Sequence, residues 1–246
     1  MPSIQVCLTP ALIDQINTTR ESVFVVIDIL RATTSFCTAF DFGAEAIVPL
    51  DSIELAMQKK KEGKLVAAER DGLKPVFADL SNSPFDYMVD SIKGKSIYYT
   101  TTNGTYAIKR AAEKGIVAIG SFRNIPALAE WLVSQSKDIV LVCSGWKDNI
   151  CLEDTLCAGA IISQLTKSTS ISGPEFLTEG DSALISFNLW EHAKGNLHAI
   201  VMQAAHYLRL KKLGLEGVLG YALDIGTSYA VPVLEDGRLI DITKLK

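Results

Sequence analysis

Cysteines are few and unpatterned in this chain: Cys7, Cys37, Cys143, Cys151 and Cys157, an odd number with no C-x-x-C pair. That argues against a zinc ribbon, a dithiol redox motif or a disulfide framework. No apolar run reaches the roughly 18 residues that a bilayer span needs. The N-terminal stretch, interrupted by Gln5, Asp14 and Gln15, lacks the order of a signal peptide. The expected location is therefore the cytoplasm, without a membrane partner. There is no basic block and the formal net charge is −4, so no dedicated nucleic-acid surface is expected. Neither G-x-x-x-x-G-K-[ST] nor G-x-G-x-x-G occurs, which removes the phosphate-loop signatures of nucleotide binding. The three histidines, His192, His198 and His206, all fall late in the chain, and none is paired in sequence with a nucleophile. Repeats and low-complexity segments are also absent. What remains is a chain long and apolar enough, 246 residues at 48% hydrophobic, to bury a large core.

The organising stretch is Val23 to Ile27, running without a break into Asp28, with Arg31 three positions on. A short β-branched and aromatic run of this kind reads as a strand buried on both faces, as in a parallel sheet. A helix follows from about Thr33 to Phe42, with Thr33 or Thr34 as cap. Similar strands are read at Ile4–Leu8, Ala46–Leu50, Leu65–Ala68, Ser96–Thr100, Ile116–Gly120 and Ile139–Cys143. Helices alternate with them up to about residue 165, the pattern of βαβ units. Beyond that, 167–179 reads as a polar linker or exposed loop and Asp181–Leu213 as mostly helical, broken near Gly195. Ile200, Val201, Ala204, Ala205 and Leu208 form an apolar face there. Val231–Leu234 and Arg238–Ile242 read as a hairpin turning at Glu235-Asp236-Gly237. The expected organisation is an α/β region over 1–165 and a helical segment with a C-terminal hairpin over 166–246, packed onto the same unit.

Polar clusters recur at strand carboxyl ends, where open α/β sheets bind ligands. They are Asp28/Arg31, Glu69/Arg70/Asp71, Thr100 to Thr105, Ser121/Arg123, and Ser144 to Asp148 leading to Glu153/Asp154. In a parallel sheet these ends share one edge. Carboxylates in this number suit a hard divalent cation such as Mg²⁺. Arginine forks suit phosphate or carboxylate. Thr101-Thr102-Asn103-Gly104-Thr105 offers hydroxyls and N–H groups at a helix start, an anion nest. The polar loop from Leu73 to Pro84, with Asp79-Leu80-Ser81-Asn82-Ser83-Pro84, is long enough to suggest a functional segment.

In their order and content, Val26 to Thr34 with Phe40 to Ala44, Glu69 to Gly72, Asp79 to Pro84, Thr100 to Thr105, Cys143 to Lys147 with Glu153-Asp154-Thr155, and finally Asp224 and Val231 to Leu234 resemble the ComB family of 2-phosphosulfolactate phosphatases. The resemblance spans nearly the whole chain. It implies a ComB-like α/β fold, with mostly parallel sheet flanked by helices in three α/β/α layers. It also implies a Mg²⁺-dependent hydrolysis of (2R)-phospho-3-sulfolactate to sulfolactate and phosphate, a step of coenzyme M synthesis, or of a related 2-phosphorylated hydroxy acid. A homodimer is a further expectation. On this reading Mg²⁺ is held by Asp28, Glu69 and one of Glu153 and Asp154. Arg31 and the Thr102, Asn103, Gly104 and Thr105 nest hold the phosphate, and Arg70, Arg123 or Lys147 takes the carboxylate or sulfonate. Asp71 is a candidate general acid. Two roles are open for Asp28, metal ligand or nucleophile forming an aspartyl phosphate, and the ligand role is preferred because Leu30 stands where a D-x-D motif would carry its second Asp. The rival classes are an anionic-metabolite binding protein and a transferase or lyase on phosphorylated hydroxy acids.

Overall fold

In a computed structural model, which describes residues 1–19, 21–168 and 175–244, the predicted alternation is realised. The chain runs β1 (Ser3–Cys7), a 3-10 turn (Pro10–Gln15), β2 (Val23–Ile27), α1 (Ala32–Asp41), β3 (Ala46–Pro49), α2 (Ile53–Lys61) and β4 (Leu65–Ala68). After the polar loop come β5 (Ser96–Thr100), α3 (Gly104–Ala112), β6 (Ile116–Gly120), α4 (Ile125–Gln135), β7 (Ile139–Cys143) and α5 (Leu152–Ser168). The later part holds β8 (Leu177–Thr178), α6 (Asp181–Ala193), α7 (Leu197–Val201), α8 (Ala205–Lys212), α9 (Leu219–Leu223), β9 (Pro232–Glu235) and β10 (Arg238–Asp241). Part of the 167–179 segment, residues 169–174, lies outside the described residues. Leu177–Thr178 in the same segment is a strand rather than loop, paired parallel to β1.

The strands form one sheet in the order β4-β5-β3-β10-β9-β6-β2-β7-β1-β8. Every residue of β2 is buried, as the unbroken apolar run requires. Val23, Val25 and Ile27 face a cluster built with Leu128, Leu132, Leu156 and Ile161 of α4 and α5. Phe24 and Val26 face Phe36 and Phe40 of α1 and Ala107, Ile108 and Ala111 of α3. Helices thus cover both faces, giving three α/β/α layers.

The C-terminal hairpin lies in the middle of the sheet, where Leu239 pairs antiparallel with Ile47 and Val233 antiparallel with Ala118. Two parallel groups, β4-β5-β3 and β6-β2-β7-β1-β8, therefore flank an antiparallel pair and run in opposite senses. The expected single edge of carboxyl ends is corrected accordingly. The two groups nonetheless converge, since Thr102 after β5 bonds Glu69 after β4 and a Cβ on Gly104 would meet Asp28 after β2. The ends of β4 and β5 meet that of β2 around the start of α1.

Candidate active site

Asp28 follows directly on β2, and its carboxylate, rather than a threonine hydroxyl, receives the first N–H of α1 (Ala32 N to Asp28 Oδ1, 3.2 Å). Thr33 does not cap. Its hydroxyl accepts from Asp28 N at 3.0 Å and donates to Asp28 O at 2.9 Å, clamping the backbone of the aspartate. α3 begins at Gly104, inside the Thr101–Thr105 stretch read as an anion nest at a helix start. A Cβ on Gly104 would stand 2.9 Å from Asp28 Oδ2 and 2.7 Å from the Ala32 side chain, so only glycine lets the two helix starts close on the carboxylate.

Glu69 enters from β4. Its carboxylate takes the N–H of Gly72 and, at 3.2 Å, that of Thr102. Gly72, at φ +91°, is a junction of the site. Its N–H is on Glu69, its carbonyl accepts from Arg31 Nη2 at 2.8 Å, and the Arg209 guanidinium lies against it. Arg31 is 3% exposed, and its Nε is buried without a partner.

Of the Glu153/Asp154 pair, Asp154 is committed to the backbone. Its two oxygens accept from Ile29 N at 2.9 Å and Gly145 N at 3.1 Å, joining the loops after β2 and β7. Glu153 is fully buried. Its Oε1 lies 2.7 Å from His206 Nδ1, while Oε2 has no partner.

A small cavity results, lined by Asp28, Leu30, Arg31, Glu69, Asn103 and, from the later chain, His206, Arg209 and Leu210. Gly72, Asn82 and Trp146 complete it. The remaining expected residues sit around it or apart. Thr102 is tied to Glu69, and Thr105 and Thr101 exchange hydrogen bonds across the first turn of α3. Arg70 bonds Thr100 Oγ1 at 3.0 Å and lines a separate open cleft beside Lys109. Lys147 stands at the rim, 3.2 Å from the exposed Asp71 carboxylate. Arg123 does not reach the cavity: its guanidinium is stacked 3.6 Å from the Tyr221 ring centre and donates to Tyr221 O at 3.1 Å.

His206 and Arg209 lie outside every motif of the sequence. The helical stretch after the break near Gly195 is divided between α7 and α8, and α8 turns residues 206, 209 and 210 inwards while leaving Leu208 exposed. Their i, i+3 spacing was the available clue. Without the helix break it pointed nowhere in particular.

Electrostatically the site is strained by its own carboxylates. Asp28 is pushed up from 3.8 to about 6, chiefly by burial and further by Glu69 and Glu153, against the opposing pull of His206 and the Ala32 N–H. Burial, with Glu153 and Asp28 behind it, also drives Asp154 well above the usual carboxylate range. Buried like charges with one orphaned oxygen fit a hard cation bound by oxygen donors. Cys151, Glu153 and His206 also offer donor atoms within 4.8 Å of one another. Burial pushes the Cys151 thiol up.

The model of the 2-phosphosulpholactate phosphatase family matches residues 7–237. A protein of Thermotoga petrophila is 38% identical over 216 residues, covering 88% of this chain and 90% of its own. One of Symbiobacterium thermophilum is 36% identical over 223 residues, covering 89% and 93%. A third, from Microcystis aeruginosa, is 34% identical over 221 residues, covering 88% and 90%. Each bears the name "Probable 2-phosphosulfolactate phosphatase". The chain belongs to the 2-phosphosulfolactate phosphatase family. It is thus a phosphoric monoester hydrolase, and the cavity at the end of β2 is the candidate active site of that family in this chain. Among the described residues no helix is long and apolar enough to cross a membrane.

Proposed function

We propose that this cavity hydrolyses (2R)-phospho-3-sulfolactate, or a closely related 2-phosphorylated hydroxy acid, to the hydroxy acid and phosphate with Mg²⁺. The observation that carries this reading is the burial of Asp28 and Glu69 around one small space that Arg31 and His206 also face, with the fully buried Glu153 bonded to His206 behind it. Asp28, Glu69 and the free Oε2 of Glu153 would hold the cation. When bound, Mg²⁺ neutralises charge on the transferring phosphoryl group, which is most of what such catalysis asks.

The chain's own residues do the rest. Arg31, fixed by its bond to Gly72 O, turns its remaining N–H donors to a phosphate oxygen. Asn103 and Gly104 add backbone donors at the start of α3. His206, with Nδ1 engaged by Glu153, keeps Nε2 for a ligand. Trp146, Leu30 and Leu210 limit water. Asp28 acts as ligand rather than nucleophile, since one of its oxygens already serves the Ala32 N–H. The ion pair of Asp71 with Lys147 at the rim favours a role in ordering the entrance over proton donation.

The test is phosphate release from phosphosulfolactate, phospholactate, phosphoglycolate and phosphoglycerate, each with Mg²⁺ and with chelator. Release that requires Mg²⁺ and is highest with phosphosulfolactate is the expected outcome. No release from any member would overturn the reading in favour of a binding protein or a transferase.

A further inference from the structure

Arg209 is not used by the phosphoryl and metal chemistry above, yet its position is closely defined. It projects from α8 into the cavity wall, three residues after His206. Its guanidinium carbon lies 4.9 Å from the Trp146 ring centre. On its other side it lies against Gly72, where a Cβ would be 3.5 Å from Nη1 and 3.6 Å from Nη2. Among the described residues no carboxylate lies in ion-pair range of Arg209, whereas the neighbouring cation Lys147 is already paired with Asp71. An arginine set over an indole, with its charge unpaired and lining a cavity, is prepared for an oxyanion. Arg31, deeper and next to Asp28, is the phosphate's arginine on the reading above. The two are separated by the Gly72 peptide: Arg31 bonds its carbonyl, and Arg209 covers its α-carbon.

We infer that Arg209 is the specificity-determining residue that binds the substrate's second strong oxyanion, the sulfonate in the proposed substrate, while Arg31 and the metal take the phosphoryl group. This inference rests on the phosphatase reading. It assigns to α8, a late segment with no motif in it, the choice among phosphorylated hydroxy acids. Gly72 then has a second function besides its backbone angle, because any side chain there would press on the Arg209 guanidinium and on Leu213 Cδ1 at 2.9 Å.

The experiment compares wild type, Arg209→Met and Arg209→Lys on phosphosulfolactate and on phospholactate, which lacks the sulfonate. Arg209→Met keeps the length and apolar contact with Trp146 but removes the charge. It is expected to lower kcat/KM about 100-fold for phosphosulfolactate, mostly through KM, and less than threefold for phospholactate. Arg209→Lys, with the charge but without the fork, should recover about tenfold of that loss. An equal fall on both substrates, or no fall on either, would overturn the assignment. If wild type releases phosphate from neither substrate, the phosphatase reading fails separately. Sulfolactate binding followed by Trp146 fluorescence then decides. Binding by wild type that Arg209→Met abolishes upholds Arg209 as the sulfonate site, and no binding by wild type, or equal binding by both, rejects it.

Discussion

Replacing Asp28 by Asn should make the metal-free protein more stable while ending its catalysis. Asp28 is 7% exposed, and burial with help from Glu69 and Glu153 raises its carboxyl from 3.8 to about 6. In the unfolded chain it returns to about the ordinary value. Between pH 4 and 6 the folded state therefore holds a proton that the unfolded state has lost, and stability falls as pH rises through this window. Above pH 6 the full cost of keeping the charge buried is present, about 3 kcal/mol for a shift of this size. Asn keeps an oxygen for the Ala32 N–H, which approaches Asp28 Oδ1 at 3.2 Å, and carries no charge. Asp28→Asn in chelator should thus exceed wild type by about 3 kcal/mol at pH 8 and match it near pH 4. Urea unfolding at a series of pH values, read by circular dichroism, measures this directly. Saturating Mg²⁺ should stabilise wild type, by about 2.7 kcal/mol at 100 times its dissociation constant, and the variant far less. A difference between variant and wild type that is negative, or constant from pH 4 to 8, would refute the argument that these carboxylates oppose one another.

Other substitutions separate the roles of neighbouring groups. Asp154→Ala orphans two buried N–H groups, of Ile29 and Gly145, and should cost about 3 kcal/mol in urea unfolding near pH 4 and less as pH rises, because burial raises the Asp154 carboxyl and its ionisation costs stability. Gly104→Ala drives a methyl to within 2.9 Å of Asp28 Oδ2. Phosphate release should drop by about 10² with helix content unchanged by circular dichroism, a loss worth about 3 kcal/mol of barrier. Arg123→Met removes the stack on Tyr221 and the bond to its carbonyl. It should lower stability by about 1–2 kcal/mol and leave KM unchanged, whereas a substrate-binding arginine would raise KM at constant stability.

The parts whose causes are local were legible in the order of the residues. An unbroken apolar run made β2 a doubly buried strand and put Asp28 at its end, and the alternation of strand and helix periods made the chain α/β. Glu69 and Thr102 were legible as polar groups following apolar strands, and here they share a hydrogen bond. The joint placement of Asp28, Arg31, Glu69 and Asn103 around one cavity was anticipated, though by the wrong geometry. The expected common edge does not exist, because β9 and β10 enter mid-sheet and reverse one half against the other. No local signal distinguishes a hairpin that packs between Ile47 and Ala118 from one added at an edge. Choosing between Glu153 and Asp154 was equally beyond the sequence, since adjacent helix residues point in different directions and only the packed loops decide which one meets Ile29 and Gly145. Arg123 has the same position at a strand end as the other candidates but is drawn to the Tyr221 ring, a partner 98 residues away. His206 and Arg209 come to the cavity because the chain breaks between α7 and α8 and Tyr207 and Leu210 are buried. Strand identity follows from periodicity within a few residues, but which side chains share a cavity depends on long-range packing of apolar surface, and that was decided only in the tertiary structure.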